Sequence, residues 1–386
     1  MKRIRILIIC LVTILFMGLS KTKSYAAPND SLVKYAKSAI LIEAESGEVL
    51  YEYNAHTKLE PASMTKIMTI KLVLDAIAKK RLNFEDELTT SEHASQMGGS
   101  QIFLAPSEKM KVRDLFKSMV IASANDAAVV LSEGISGNEE FFVNQMNDEV
   151  KKLGLKDTNF KNVTGLPIEN HYSTAYDMAF IARNLLINYE DEIIPYTSKY
   201  EDYVRNDTTK PFWLVNTNKL IKYEDGVDGL KTGWTESAGY CLTCTKKKDG
   251  MRLISVVMNA DTVPHRSVDT MSLLNYGFSN FEKTIILKKG TIIKAQNDIL
   301  LEPSKYNILT SENIVKVTKK GEKLGNPRIV PKIDEARLKN LSSIYVGSVE
   351  VYIDDELIGT SNIEVEVKPV KKSFLELLVE LIRQIF

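Results

Sequence analysis

The hydrophobic positions of this chain follow two different periods. Apolar, β-branched runs at 39–44 ("AILIEA") and 48–53 ("EVLYEY") flank the turn signal Ser46-Gly47, which predicts a β-hairpin. Apolar positions then recur at helical spacing in five segments, 64–78, 112–122, 126–134, 139–152 and 174–186. Strand patterns return at 229–234, 240–246 and 253–260, before a short helix at 268–276. Because the strands are grouped and do not alternate with helices, we predict an α+β fold with helices packed on a mostly antiparallel sheet.

The pattern changes after Phe281. Short alternating strands with Gly, Asp and Asn turns predict a small all-β domain over 282–369. The last segment, 370–386, contains "KKSFLELLVELIRQIF", an amphipathic helical pattern. Its polar stripe consists of Glu376, Glu380, Arg383 and Gln384. This helix is shorter than the ~20 residues that span a bilayer, so we expect it to lie in the membrane interface. The alternative is a helix docked on the β domain or on a dimer partner.

The first residues have the pattern of an export signal. Lys2, Arg3 and Arg5 precede an apolar run over 6–19, and the small residues of "SYA" follow at 24–26. We therefore predict a secretory signal peptide over 1–26, cleaved after Ala26, and a mature chain on the outer face of the cytoplasmic membrane or in the cell-wall space. An uncleaved N-terminal anchor is the alternative. The remaining segment, 27–281, is the predicted catalytic domain.

Composition excludes several classes of function. The 386 residues include 50 Lys+Arg and 50 Asp+Glu, and this zero net charge gives no reason to expect a nucleic-acid partner. The four histidines are far apart in sequence and form no H-E-x-x-H motif, so we expect no metal and no cofactor. Cys241 and Cys244 lie in a strand pattern, where positions three apart face opposite sides. We expect them to be buried structural cysteines and not a redox pair.

The segment "PASMTKIMT" at 61–69 suggests nucleophilic chemistry. Ser63 precedes Lys66 by three residues, which places both side chains on one face of a helix. A hydroxyl beside an amine can be a nucleophile beside its base, and the unpaired N–H groups at a helix start stabilise an oxyanion. An N-cap serine also fits this position. S-x-x-K recurs at 20–23 and 31–34, but only the third copy heads a strong helical pattern after a proline.

Two further motifs accompany this pair. "KTG" at 231–233 occurs once; its glycine permits close approach of a ligand, and Lys231 and Thr232 offer a cation and a hydroxyl to an anion. S-x-N occurs at 123–125, 136–138 and 311–313. The third copy lies in the predicted β domain, and sequence physics does not separate the first two, which both follow helices.

The three motifs in this order are the signature of serine β-lactamases and penicillin-binding proteins. The wider segments "GGSQIFL", "ASANDAAV", "GLPIENHYSTAYDMAFIARNLL" and "DGLKTGWTESAGYCL" resemble the D-alanyl-D-alanine carboxypeptidases, the low-molecular-weight penicillin-binding proteins. The resemblance covers about 38–281 and continues more loosely to the terminal helix, which that family uses as a membrane anchor. It implies a penicillin-binding-protein/β-lactamase-like catalytic domain. It also favours Ser123 and Asn125 among the S-x-N copies.

The resemblance implies a serine D-Ala-D-Ala carboxypeptidase that is acylated by β-lactam antibiotics. Ser63 would attack the peptide carbonyl of a peptidoglycan stem peptide, Lys66 would be the base and Ser123 would relay a proton to the leaving amine. The implied substrate-binding residues are Asn125, Lys231, Thr232, Gly233, Trp234, Thr235 and Arg266. Asn125 would bind the substrate amide, and Lys231, Thr232, Thr235 and Arg266 would surround its terminal carboxylate. The backbone N–H groups of Ser63 and Trp234 would form the oxyanion hole, although some relatives have histidine in place of Trp234.

This chemistry requires a lysine that is partly neutral. The pKa of a free lysine is near ~10.4, and we expect burial and the second cation Lys231 to lower the pKa of Lys66. Two other functions are compatible with the motifs. A β-lactamase would need a glutamate in an E-x-x-x-N segment, and Glu169-Asn170 has the wrong spacing. A penicillin sensor or cell-wall binding module would keep the fold without turnover.

Overall fold

A computed structural model describes residues 32–206, 208–298, 300–340 and 343–385. The predicted signal peptide and its cleavage site lie outside these residues. The strands are β1 Ser38–Glu43, β2 Val49–Tyr53, β3 Glu87–Thr89, β4 Lys109–Lys111, β5 Glu201–Val204, β6 Phe212–Val215, β7 Val227–Thr235, β8 Gly239–Lys248, β9 Met251–Ala260, β10 Phe281–Leu287, β11 Ile292–Asn297, β12 Leu301–Glu302, β13 Lys305–Thr310, β14 Ile314–Lys319, β15 Pro327–Ile333, β16 Tyr345–Ile353, β17 Glu356–Val365 and β18 Val370–Lys371. The helices are α1 Lys66–Ala78, α2 Glu92–Ser95, α3 Val112–Ile121, α4 Asn125–Ser136, α5 Glu139–Lys152, α6 Ala175–Thr197, α7 Leu220–Tyr223, α8 Val263–Asn280, α9 Glu335–Asn340 and α10 Phe374–Ile385.

A five-stranded antiparallel sheet in the order β2-β1-β9-β8-β7 carries the predicted catalytic region. Alternate residues of its central strands face two different layers, as the strand period requires. Ile40 and Ile254 join the large core between the sheet and the helices. Leu41 and Leu253 face the opposite side, where they lie against Gly277 of α8. The predicted hairpin and the α+β architecture are confirmed.

The helices between β2 and β7 form the cluster on one face of the sheet. Helix α1 is buried along nearly its whole length, because other helices surround it on the side away from the sheet. Side-chain caps fix several helix starts: Asn138 begins α5 and Thr174 begins α6 by accepting bonds from backbone N–H groups. Helix α6 extends beyond the predicted end at 186 to Thr197, across a non-helical Tyr189.

The strands after Phe281 form separate small sheets. The largest has the order β11-β13-β17-β16-β15, and β10 pairs with β14. The residues Val33–Phe386 form one compact unit, within which Glu45 accepts bonds from Lys283 Nζ at 2.5 Å and Asn313 Nδ2 at 2.7 Å. The domain boundaries at 281 and 369 stay a prediction.

The last described helix, α10, begins at a capping box. Ser373 N donates to Glu376 Oε2 at 2.7 Å, and Glu376 N donates to Ser373 Oγ at 3.4 Å. Many of its apolar side chains are exposed: Phe374, Leu375, Leu378, Val379, Leu381 and Ile382. Among the helices that the structure describes, none has the length and apolar character needed to cross a membrane.

Candidate active site

The Ser63–Lys66 pair lies where a 3₁₀ turn, Ala62–Thr65, passes into α1. Ser63 Oγ is 3.0 Å from Lys66 Nζ. The residue that precedes α1 is Thr65, and neither the turn nor the helix has a side-chain cap. Ser63 is therefore not an N-cap serine, and its hydroxyl is directed to the lysine amine.

Lys66 Nζ has two further neighbours, and both are acceptors. Asn125 Oδ1 lies at 2.6 Å and the Thr164 carbonyl oxygen at 2.8 Å. The amide of Asn125 is oriented by its own donor, since Asn125 Nδ2 donates to the Gly98 carbonyl at 2.7 Å. A neutral amine has two N–H donors and one lone pair. If the two carbonyls take the N–H groups, the lone pair faces the Ser63 hydroxyl.

The electrostatic surroundings of Lys66 favour that neutral form. Its side chain is fully buried, and burial lowers the pKa of Lys66 well below its ordinary value. The positive charge of Lys231 lowers the pKa of Lys66 further, while Asp126 acts in the opposite direction. The direction expected from sequence, and both of its causes, are confirmed.

The three copies of S-x-N have different surroundings. Ser123 is buried between α3 and α4 with a left-handed backbone, φ 64°, and Asn125 contacts the lysine. In the second copy, Asn138 caps α5 by accepting from Phe141 N. In the third, Asn313 binds Glu45. The structure brings only the first copy, through Asn125, into contact with the Ser63–Lys66 pair among the described residues.

The K-T-G motif lies on β7, the edge strand of the sheet, beside the 3₁₀ turn. A Cβ on Gly233 would lie 2.7 Å from the Pro61 carbonyl oxygen and 3.2 Å from Ser63 N, so only glycine permits this approach. Lys231 is buried, and its Nζ donates to the Thr232 carbonyl at 3.1 Å. The Thr232 hydroxyl donates to Thr217 Oγ1 at 2.6 Å. The third motif therefore adjoins the first.

The remaining predicted residues surround this strand. Trp234 is 58% exposed and packs against Tyr240. Thr235 Oγ1 accepts from Ala238 N at 3.0 Å in the turn after β7, so its predicted contact with a carboxylate stays a prediction. Arg266 is buried, and within the described part of the chain its Nε has no hydrogen-bond partner.

Lys231, at the centre of β7, and Arg266, in α8, place two buried cations close enough to interact. Burial lowers the pKa of Lys231 to about 7, and the charge of Arg266 adds to that effect. Burial also lowers the pKa of Arg266. Buried like charges are unfavourable unless an anion joins them, so this pair is suited to a carboxylate.

Sequence reasoning missed several groups that support the site. The carbonyl of Thr164 holds Lys66, and the next residue, Gly165, has φ 84° and approaches the turn so closely that a Cβ would lie 1.8 Å from the Ala62 oxygen. Asp126 accepts from the backbone N–H groups of Ile102 and Leu104 at 3.1 Å. Backbone partners leave no side-chain signal in a sequence. A signal that could have been used is Gly165 itself, since glycine permits such a close approach.

The chemistry available here is that of a serine, a lysine and two buried cations. Among the described residues, no group of three or more His, Cys, Asp or Glu side chains is arranged to hold a metal. Cys241 and Cys244 are free and buried, and burial raises their pKa values to about 11 and about 12. Such thiols are poor nucleophiles.

Comparison with known proteins agrees with this geometry. Residues 23–262 match the model of the Peptidase_S11 family, described as D-alanyl-D-alanine carboxypeptidase. The D-alanyl-D-alanine carboxypeptidase DacF of Bacillus subtilis is 42% identical over 386 residues, 98% of this chain and 97% of its own length. DacA of Escherichia coli is 32% identical over 90% of this chain and 83% of its own length.

Solved structures show the same fold. Penicillin-binding protein 5 from Haemophilus influenzae has a TM-score of 0.69 and 30% identity, and the match covers 90% of this chain and all of that one. Penicillin-binding protein 6B from Escherichia coli has a TM-score of 0.67 and 30% identity over 87% of this chain and 97% of that one. Penicillin-binding protein D2 from Listeria monocytogenes, in its ampicillin-bound form, has a TM-score of 0.57 and 34% identity over 63% of this chain and 97% of that one.

Proposed function

Because this chain belongs to the D-alanyl-D-alanine carboxypeptidase family, we propose that it removes the terminal D-alanine from peptidoglycan stem peptides through an acyl-enzyme on Ser63. Penicillin acylates the same serine. The observation that carries the proposal is the 3.0 Å contact between Ser63 Oγ and Lys66 Nζ, with two carbonyl oxygens occupying the other directions around the amine.

Acylation begins when the Ser63 hydroxyl gives its proton to Nζ of Lys66 and its oxygen attacks the carbonyl between the two D-alanines. The bond from Oγ to carbon forms as the carbonyl electrons move to its oxygen. The backbone N–H groups of Ser63 and Trp234 stabilise this oxyanion. Because Gly233 approaches the turn closely, the N–H groups of Ser63 and Trp234 can both donate to the same oxyanion.

Collapse of the tetrahedral intermediate releases D-alanine. The proton taken by Lys66 reaches the leaving amine through the hydroxyl of Ser123, which precedes the lysine-binding Asn125 by two residues. Water then attacks the ester carbonyl on Ser63 and gives a proton to Lys66 Nζ. The bond from the carbonyl carbon to Ser63 Oγ breaks, Oγ takes that proton from the lysine, and the shortened peptide leaves with a new carboxyl group. Each step uses the lysine alternately as base and acid, for which a lowered pKa is required.

The terminal carboxylate of the peptide binds beside Lys231, at the centre of β7. Lys231 and Arg266 supply the charges, and Thr232 supplies a hydroxyl. A carboxylate between them restores the charged form of Lys231, whose pKa is about 7 in the free site. We therefore expect a preference for peptides with a free C-terminus.

The test is to purify residues 27–371 and measure D-alanine release from a peptide that ends in D-Ala-D-Ala. We expect release by the wild type, none by Ser63→Ala, and a penicillin adduct on Ser63 by mass spectrometry. Absence of release, with slow penicillin acylation, would support a penicillin sensor. Rapid penicillin turnover would support a β-lactamase.

We also propose that the chain is exported and that α10 holds it at the outer face of the cytoplasmic membrane. The signal-like pattern at 1–26 and the exposed apolar side chains of α10 support this proposal. A helix with one polar stripe and one wide apolar face gains free energy by lying at the boundary between headgroups and acyl chains.

A further inference from the structure

An open cleft of about 560 Å³ adjoins the candidate active site. One wall is the segment 58–60 and the other is the segment 167–172, and backbone bonds between Leu59 and Ser173 join the two walls. None of the predicted site residues lines it. Its chemistry is carried by Lys58, Glu60, Glu169, His171 and Tyr172.

The cleft is connected to the catalytic turn through its own lining. His171 is buried, and its Nδ1 accepts from Lys161 N at 3.1 Å, so its Nε2 carries the proton and donates to Thr65 Oγ1 at 2.9 Å. Glu60, three residues before Ser63, accepts from Ser237 Oγ at 2.5 Å. Ser237 in turn lies 3.3 Å from Thr235 Oγ1, at the end of β7. Through Glu60 the cleft therefore adjoins the C-terminal end of β7.

The direction of the substrate follows from the charges under β7. Lys231, at the centre of β7, and Arg266 attract the terminal carboxylate, and the carbonyl under attack lies three residues further along the strand, between Ser63 and Trp234. The peptide on the acyl side of the scissile bond must then leave towards Thr235. That direction leads past Ser237 and Glu60 into the cleft.

The side chains of the cleft favour a cation. Lys58 is paired with Asp157 at 3.2 Å and stands 4.8 Å over the Tyr172 ring, so its charge is already compensated. His171 is neutral, because burial lowers its pKa to about 4. The carboxylates of Glu60 and Glu169 lie on the two opposite walls. Glu60 uses only part of its acceptor capacity on Ser237, since a carboxylate accepts up to about four bonds.

We propose that this cleft is the subsite for the stem-peptide residue that precedes the two D-alanines, and that Glu60 and Glu169 select a side chain with a free amine there. The inference rests on the proposed function. It adds to that function a preference for stem peptides whose third residue is a diamino acid with an unmodified amine. Glu60 and Glu169 act on the substrate side chain and not on the reacting atoms.

The test compares two synthetic peptides, L-Ala-γ-D-Glu-L-Lys-D-Ala-D-Ala and the same peptide with Nε-acetyl-lysine. We expect wild-type kcat/KM to favour the free amine by about fivefold or more, mainly through KM. Glu60→Gln and Glu169→Gln should each lower this ratio, and the double variant should bring it close to one. Glu236→Gln removes a nearby exposed charge outside the cleft and should keep the wild-type ratio.

The rate of penicillin acylation checks the fold of every variant, because the drug lacks the diamino side chain. If Glu60→Gln disturbs the turn at Ser237 and loses acylation, Glu169→Gln on the exposed opposite wall still decides the question. A wild-type ratio near one, or a ratio that survives the double variant, overturns the inference. Failure of the wild type to release D-alanine from either peptide would instead refute the proposed function.

Discussion

Asn125 Oδ1 lies 2.6 Å from Lys66 Nζ, within a site where the lysine is fully buried. The asparagine therefore contributes more than the substrate contact expected from its motif, because it occupies one of the two N–H groups of a neutral amine. A neutral acceptor at this distance holds the lysine without restoring its charge. A carboxylate in the same place would do the opposite.

Replacing Asn125 with aspartate should raise the pKa of Lys66 and keep it protonated at neutral pH. We expect penicillin acylation to slow by about 100-fold or more at neutral pH. The pH–rate profile should shift to higher pH, so that part of the lost rate returns in alkaline buffer. Stopped-flow acylation across pH measures both effects. Asn125→Ala is the matched control, because it removes the contact without adding charge. An unshifted profile for the aspartate variant would contradict this account of Lys66.

Lys231 is expected to lower the stability of the free enzyme. The pKa of Lys231 is about 7 in the folded protein, whereas the ordinary value for lysine, 10.5, applies to the unfolded chain. Between these two pH values the unfolded chain therefore binds more protons than the folded protein does. Stability from this group therefore rises with pH through that window, and the cost of the buried cation is greatest below about pH 7. Lys231→Met should raise the free energy of unfolding by about 2–4 kcal/mol in mildly acidic buffer.

The same variant should lose peptide hydrolysis, since the carboxylate loses one of its two cations. Urea unfolding at several pH values gives the stability, and the advantage of Lys231→Met should shrink as the buffer becomes alkaline. A destabilised variant at acidic pH, or an advantage in stability that does not change with pH, would contradict the prediction.

In the wild type, KM for the peptide should rise above about pH 7 as Lys231 loses its charge.

The sequence predicted the parts of the fold that depend on side-chain periodicity. The hairpin β1–β2, the strands of the central sheet and helices such as α5 follow directly from alternating or helical hydrophobic positions. The hairpin β5–β6 was missed because its strands are four residues each and mostly not buried. The second half of α6 was missed because polar residues and Pro195 interrupt its apolar pattern.

The candidate site was predictable only as far as side chains identify it. Ser63, Lys66 and Lys231 could be chosen from motif types and order, whereas the contacts of Lys66 with the Thr164 carbonyl and of Asn125 with Gly98 use backbone atoms. Such partners depend on where a distant loop closes. No spacing rule in the sequence gives that position.

Gly233 is expected to be irreplaceable for catalysis but not for folding. A Cβ at this position would lie 2.7 Å from the Pro61 oxygen, so Gly233→Ala should push β7 away from the Ser63 turn. We expect acylation to fall by about 100-fold, the loss typical of a weakened oxyanion hole. A melting temperature near that of the wild type would show that geometry and not unfolding causes the loss. Full acylation in the alanine variant would place the oxyanion donors elsewhere.

Truncation after Lys371 should release the protein from membranes. This end point keeps β18, which pairs with β12, and removes α10. Fractionation of expressing cells should move the truncated chain to the soluble fraction, with D-alanine release unchanged. The double variant Leu378→Glu/Leu381→Glu keeps the helix but charges its exposed apolar face, so it should behave like the truncation. Retention of both variants in the membrane would indicate another attachment, such as an uncleaved signal.

His171 should make the stability of the catalytic turn sensitive to acid. Burial lowers its pKa from 6.5 to about 4, so the unfolded chain binds more protons between these values and stability falls as pH decreases through that window. The full shift corresponds to about 3 kcal/mol. His171→Gln keeps a donor for Thr65 but cannot titrate, and His171→Phe keeps the shape beside Phe160. Thermal melts from pH 7 to pH 4 should show a shallower decline for both variants than for the wild type, because both lack the buried titrating group. Parallel declines in all three proteins would mean that carboxylates alone cause the acid sensitivity.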